Sequence, residues 1–209
     1  STLSSSSAAS DVYKRQLMSG EPVDATDKGP KEIRVDLPVD AHIPESYINS
    51  ERLRLEVYRR LAEARDDDAL TAAADDMVDR FGALPTEVEH LMAVARLRNQ
   101  ARAVGVADIL TQGARIKLHP VELLDSKQVR LKRLYPGANY RAAAKTLQVP
   151  MPREGGNKRA INAPNLRDME LLQWVADFTS EMLDAPKVSV AGSTVAEEKP
   201  KKKVFSVSE

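Results

Sequence analysis

The residues best suited by type and spacing to act on another molecule are carboxylates. Asp75, Asp76 and Asp79 crowd one stretch, and Arg80 follows them directly. On a helix, Asp76 and Asp79 stand at i and i+3 and share a face. Two carboxylates placed in this way offer a joint seat for a guanidinium, whose planar fork bonds two acceptors at once. The same spacing allows a plainer arrangement, with Asp76 paired to Arg80 one turn on, contributing about 0.3 kcal/mol. Basic candidates come later. Lys127, Arg130, Lys132 and Arg133 have the charge to meet phosphates, so residues 127–159 read alternatively as a nucleic-acid-binding module. Only Tyr135 and Tyr140 are nearby to stack on bases, which argues against single-strand binding.

Other chemistries lack their residues. His42, His90 and His119 fall in three different elements, and none has a partner at His-x-x-x-His spacing, so no metal site is expected. His90 reads as a solvated or cap-adjacent side chain. The absence of cysteine removes disulfides, thiolate ligands and thiol nucleophiles. There is no G-x-x-x-x-G-K-[ST] loop to cradle phosphates and no Gly-x-Ser-x-Gly elbow. Gly155-Gly156 reads as a surface turn. Asp79-Arg80-Phe81-Gly82 has the wrong order for the kinase Asp-Phe-Gly signature. It reads as a helix end, with Phe81 buried, Gly82 left-handed and Arg80 near the negative end of the dipole. No catalytic residue and no cofactor-binding residue is expected in this chain.

These side chains need elements to hold them. Residues 32–37 alternate polar and apolar and predict a strand. Ser50 predicts the N-cap of a helix over about 51–64, with Leu53, Val57 and Leu61 on its face. A second helix is predicted over about 68–80, stopped at Gly82. A third runs over about 85–104, with a stripe of Val88, Leu91, Met92, Ala95, Ala101 and Val104, stopped at Gly105. Beyond Gly105 the period changes to two. Residues 106–110 and 114–118 flank Gly113 as a hairpin. Ser126 is expected to cap a short helix through Leu134. Residues 140–143 and 146–150 read as strands, 152–164 as a polar loop, and Asn165 as the cap of a last helix over about 166–183. The fold class is therefore α+β: three N-terminal helices, then a small, mostly antiparallel sheet, then a C-terminal helix.

The chain divides into a linker over 1–30, a domain over 31–184 and a loose tail over 185–209 holding a cluster at Lys199–Lys203. Ser10 to Gln16 looks foreign, like translated adapter sequence, so about residues 1–16 are set aside and the protein is expected to continue upstream. Apolar residues make up 42% of the chain but aromatics only 4%, so the core must be aliphatic. No run is long enough to span a membrane, and no signal peptide opens the chain, so a cytoplasmic location is expected. The formal charge is zero, but it is segregated. Residues 51–92 hold eleven acids against six bases, about −5, and residues 120–160 hold nine bases against three acids, about +6. Opposed patches of this kind suit docking to a complementary partner, though an ordinary charged surface has the same composition.

Four segments in register resemble one family. They are Ile33-Arg-Val-Asp-Leu-Pro-Val-Asp-Ala-His-Ile-Pro44, Arg52-Leu-Arg-Leu-Glu-Val-Tyr-Arg-Arg-Leu61, Asp79-Arg-Phe-Gly-Ala-Leu-Pro85 and Ala95-Arg-Leu-Arg98. In this order they look like the C-terminal domain of the bacterial transcription-repair coupling factors, over about residues 20–184. The resemblance implies a parent that is an ATP-driven double-stranded DNA translocase, which displaces stalled RNA polymerase and recruits UvrA for nucleotide excision repair. ATP and Mg would belong to motor domains upstream, not to this piece. The family's C-terminal domain packs on a UvrB-like module of the same polypeptide, masking its UvrA surface and restraining the motor. In the family, acidic positions just before the Arg-Phe-Gly turn face arginines of that module. The resemblance carries this role to Asp76 and Asp79. The first of these positions often holds Glu in the family, so Asp76 reaches less far.

Overall fold

Ser50 accepts from Leu53 N through its hydroxyl at 3.4 Å and opens helix α1, Glu51–Glu63. Asp66 does the same for α2, Asp67–Phe81, accepting from Ala69 N at 2.7 Å. α3 covers Thr86–Ala103. These come from a computed structural model of the chain that describes residues 32–155 and 162–192. The predicted linker over 1–30, the Gly155-Gly156 turn beyond Gly155, and the lysine cluster lie wholly or partly outside the described residues.

The sheet contains β1 (Arg34–Asp36), β2 (Asp108–Gln112), β3 (Arg115–His119), β4 (Asn139–Arg141) and β5 (Thr146–Pro150). Its order is β1-β2-β3-β5-β4, with only the β1–β2 pair parallel. Ile109, Ile116, Leu118, Leu147 and Val149 alternate inward and are buried, as period-two patterning requires. α4 (Asp125–Leu134) lies between β3 and β4, and α5 (Asp168–Leu183) follows the sheet. The α+β class, with helices ahead of a mostly antiparallel sheet and a helix after it, is the architecture found.

Two apolar clusters form the interior. One gathers Val57, Leu61, Leu70, Ala73 and Met77 of α1 and α2. The other gathers the sheet and α5, with Phe178, Leu171 and Leu172 at its centre. α3 serves both. Val88, Met92 and Ala95 enter the first cluster, while Ala93, Val94, Leu97 and Ala101 enter the second. The expected stripe is all in or against these clusters, but it is only part of the helix's buried surface. A helix sandwiched between two layers is buried on two sides, so its apolar residues show little period.

Several local expectations are corrected. Ser126 does not cap α4, which starts at Asp125 behind Leu124 with no side-chain cap. Asn165 caps nothing; it forms a bridge with Arg153, and α5 starts three residues later. His90 is not solvated. It is buried, and its Nδ1 lies 2.8 Å from the Asp40 carbonyl oxygen, tying the segment after β1 to α3. The loose tail does not begin at Ala185. Gln100 Nε2 donates to the Ala176 and Pro186 carbonyls at 2.9 and 3.0 Å, and Gln173 donates to Val188 O and accepts from Val190 N, each at 3.0 Å. Val190 is fully buried.

Candidate functional site

α2 presents the acidic residues, and its geometry follows from how its two other faces are used. Leu70, Ala73 and Met77 are buried inward at i, i+3 and i+7. Its C-terminal end is closed from outside the helix. Tyr47 Oη lies 3.1 Å from Met77 O and 2.8 Å from Gly82 O, adding a side-chain donor where the helix ends. Burial raises the pKa of this phenol and so favours its donor form. Gly82 has φ +92 and ψ −169, an extended positive-φ conformation that only glycine takes easily, in place of the expected left-handed helical one. Phe81 is half-buried, set edge-on to Tyr47 at 5.9 Å, with the Arg80 guanidinium 5.0 Å from its ring centre.

Asp76 turns toward α1. Its Oδ2 accepts from Arg60 Nη1 at 3.1 Å and from Arg80 Nη1 at 3.4 Å. The plainer pairing with Arg80 thus holds, and Arg60 reinforces it. On the Asp76 side of the expected joint seat, two arginines of the same chain already bond one carboxylate oxygen. Arg60 was missed in the sequence, although its place on α1 opposite α2 was the signal available. Asp75 and Asp79 point away from both packed faces and are exposed. At about 100° per residue they lie about 40° apart on the helix, with Asp68 between them and Val78 alongside. Val78 is 44% exposed and is the only large apolar side chain α2 leaves open. The outer face of α2 is therefore a carboxylate stripe, Asp68, Asp75 and Asp79, bordered by one valine.

The basic candidates divide. Lys127 Nζ sits 2.8 Å from Asp184 Oδ1 and 3.1 Å from Glu181 O. Arg130 Nη2 donates to Glu181 Oε1 at 3.1 Å. Both anchor α4 to the end of α5. Lys132 and Arg133 are exposed and have no ion-pair partner among the described residues. Neither tyrosine is free to stack on a base. Tyr135 donates to Glu181 Oε2 at 3.1 Å and packs edge-on against Phe178 and Trp174, while Tyr140 donates to Val121 O at 2.9 Å. Lys158 and Arg159, the end of the predicted basic module, lie outside the described residues. His42 lies 2.8 Å from Asp40, and His119 is 3.9 Å from Asp108. Among the described residues no group of three or more His, Asp or Glu is placed to hold a metal, and no helix is long and apolar enough to cross a membrane.

Comparison with known proteins agrees with this fold. The TRCF domain family model matches residues 37–133. The transcription-repair-coupling factor of Mycobacterium tuberculosis is 49% identical over 178 residues, which cover 85% of this chain and 14% of the relative. That of Staphylococcus aureus is 32% identical over 88 residues, 42% of this chain and 8% of the relative. The chain thus spans about 14% of the length of the mycobacterial relative. The crystal structure of the C-terminal domain of transcription-repair coupling factor superposes with a TM-score of 0.58 at 16% identity, covering 77% of this chain and 96% of that one, a likeness of fold.

Proposed function

The chain belongs to the transcription-repair-coupling factor family and has its C-terminal domain fold, and on that premise we propose that it acts as a regulatory, autoinhibitory domain. In this reading it docks reversibly on an arginine-bearing, UvrB-like module of the same polypeptide. It covers the surface that UvrA would bind and restrains an upstream ATP-driven DNA translocase that acts on stalled RNA polymerase in the cytoplasm. The observation that carries the reading is the outer face of α2. Asp75 and Asp79 are exposed and directed outward, while Asp76 is held by Arg60 and Arg80. Carboxylates on a packed helix are pre-positioned, so an arginine surface meets them with little ordering cost. Reversible masking requires a modest coupling, of about 1–3 kcal/mol.

The test is Asp75→Arg with Asp79→Arg in the full-length parent. UvrA binding and basal ATP hydrolysis are expected to rise at least about fivefold, the lower end of such couplings. Unchanged values for both would sink this face. Asp76→Ala serves as the contrast. It is expected to loosen α1 on α2, seen as lower thermal stability, because its carboxylate closes an internal contact.

A further inference from the structure

We propose that the lysine-rich segment 199–207 of this same chain is a reversible occupant of the outer face of α2. The inference rests on the docking reading above and adds a competitor to it. Three observations lead there.

The first is where the chain leaves the described structure. Gly192 has φ +89 and sits against the Arg96 guanidinium; a Cβ there would lie 3.0 Å from Nη2. Arg96 Nε is 3.2 Å from Oδ1 of Asp67, the first residue of α2. The chain therefore departs beside the N-terminal end of that helix. The second is reach. Asp67 and Val78 lie within about 20° of one line along α2 and about 17 Å apart on its axis. From Gly192 to Lys201 the chain can extend up to about 30 Å, enough to run along the helix to Val78.

The third is chemistry. Lys199, Lys201, Lys202 and Lys203 are followed by Val204, Phe205 and Val207. The face offers the complement in the same combination, Asp75 and Asp79 beside an exposed Val78. Lysines set against the carboxylates bring Val204 and Phe205 onto Val78 and cover it. A DNA duplex would use the lysines but leave those apolar side chains bare. The exposed side of α4 carries Lys132 and Arg133 and repels the segment. A partner with a stronger basic surface displaces the tail, and its apparent affinity falls by the fraction of time the face is free. A tail seated about four-fifths of the time lowers that affinity about fivefold.

Because the chain has no cysteine, Ser206→Cys creates a single site for a nitroxide label in the 209-residue chain. Amide resonances of Thr71, Asp75, Val78 and Asp79 are expected to broaden at about 0.05 M salt and to recover near 1 M, where screening reaches about 3 Å. Lys201→Glu, Lys202→Glu and Lys203→Glu together should abolish the broadening. Broadening confined to α4, or absent from α2 at low salt, overturns the proposal. So does a chain whose label reports nothing on α2 while a short DNA duplex binds the lysines, which would make the segment a nucleic-acid arm. The readout involves neither UvrA nor ATP, so its failure leaves the docking reading standing. Failure of the charge reversal in the full-length parent likewise leaves this readout unaffected.

Discussion

Tyr135 shows how one side chain at the end of α4 joins that helix to α5. Its ring lies 4.9 Å from Phe178 and 6.0 Å from Trp174, and its hydroxyl donates to Glu181, which also accepts from Arg130. Burial, then the Glu181 charge and hydrogen bond, push the phenol pKa up to about 12 from 10.0. The raised value fixes the sign of its pH dependence. The protonated phenol favours the folded state fully below the unfolded value, and that contribution is lost as pH rises through the folded one. Stability measured by urea unfolding is therefore expected to fall between about pH 10 and pH 12. Tyr135→Phe, which cannot ionise, should flatten that fall, leaving the part due to the half-buried Tyr47. An equal slope in the variant would show that the phenol is not the responsible group. His90 makes a second point at this scale. It was legible as a histidine without metal-ligand spacing, but not as a buried one. Its partner is the Asp40 carbonyl fifty residues earlier, and no local pattern encodes that distance.

Among elements, the helices were legible because their own residues close them. Ser50 and Asp66 cap the first two by side-chain hydrogen bonds, and a glycine follows the second. The hairpin around Gly113 was legible for the same local reason. α4 and α5 start without side-chain caps, so Ser126 and Asn165 were plausible and wrong. The acidic face was half legible. Spacing put Asp76 and Asp79 near each other on α2, but only the packing of α1 reveals that Arg60 takes Asp76. The strap after α5 was not legible at all, because Pro186 to Val190 reads as a tail until Gln100, Gln173 and Arg96 are seen gripping its backbone. Gln173→Ala removes both bonds to this strap. It is expected to cost about 1–2 kcal/mol in urea unfolding and to open a protease site after Asp184. Unaltered stability together with unaltered cleavage would mean that the Gln100 and Arg96 bonds and the burial of Val190 hold the strap without Gln173.

For the whole molecule, the decisive fact is that one helix belongs to both cores. α3 gives Val88, Met92 and Ala95 to the helical cluster and Leu97 and Ala101 to the sheet cluster, so neither layer keeps its wall if α3 leaves. Arg96 adds a polar tie at the same place. Its Nε meets Asp67 of α2 at 3.2 Å, and its Nη1 donates to Val190 O at 3.0 Å. The two layers should therefore unfold together, although the charge pattern divides the chain into an acidic and a basic half. Trp174 is the only tryptophan and lies in the sheet layer, so its fluorescence reports that layer, while far-UV circular dichroism weights the helices. The two signals are expected to trace one coincident transition in urea. Leu97→Ala, at a fully buried position on the shared helix, should shift both signals equally and cost about 2–5 kcal/mol. If the fluorescence transition moved while the helical signal stayed, the two cores would be independent, and a docking event on α2 would have no mechanical route to the sheet. If both move together, a load applied at Asp75 and Asp79 is carried by the entire domain, as the proposed restraint through α2 requires.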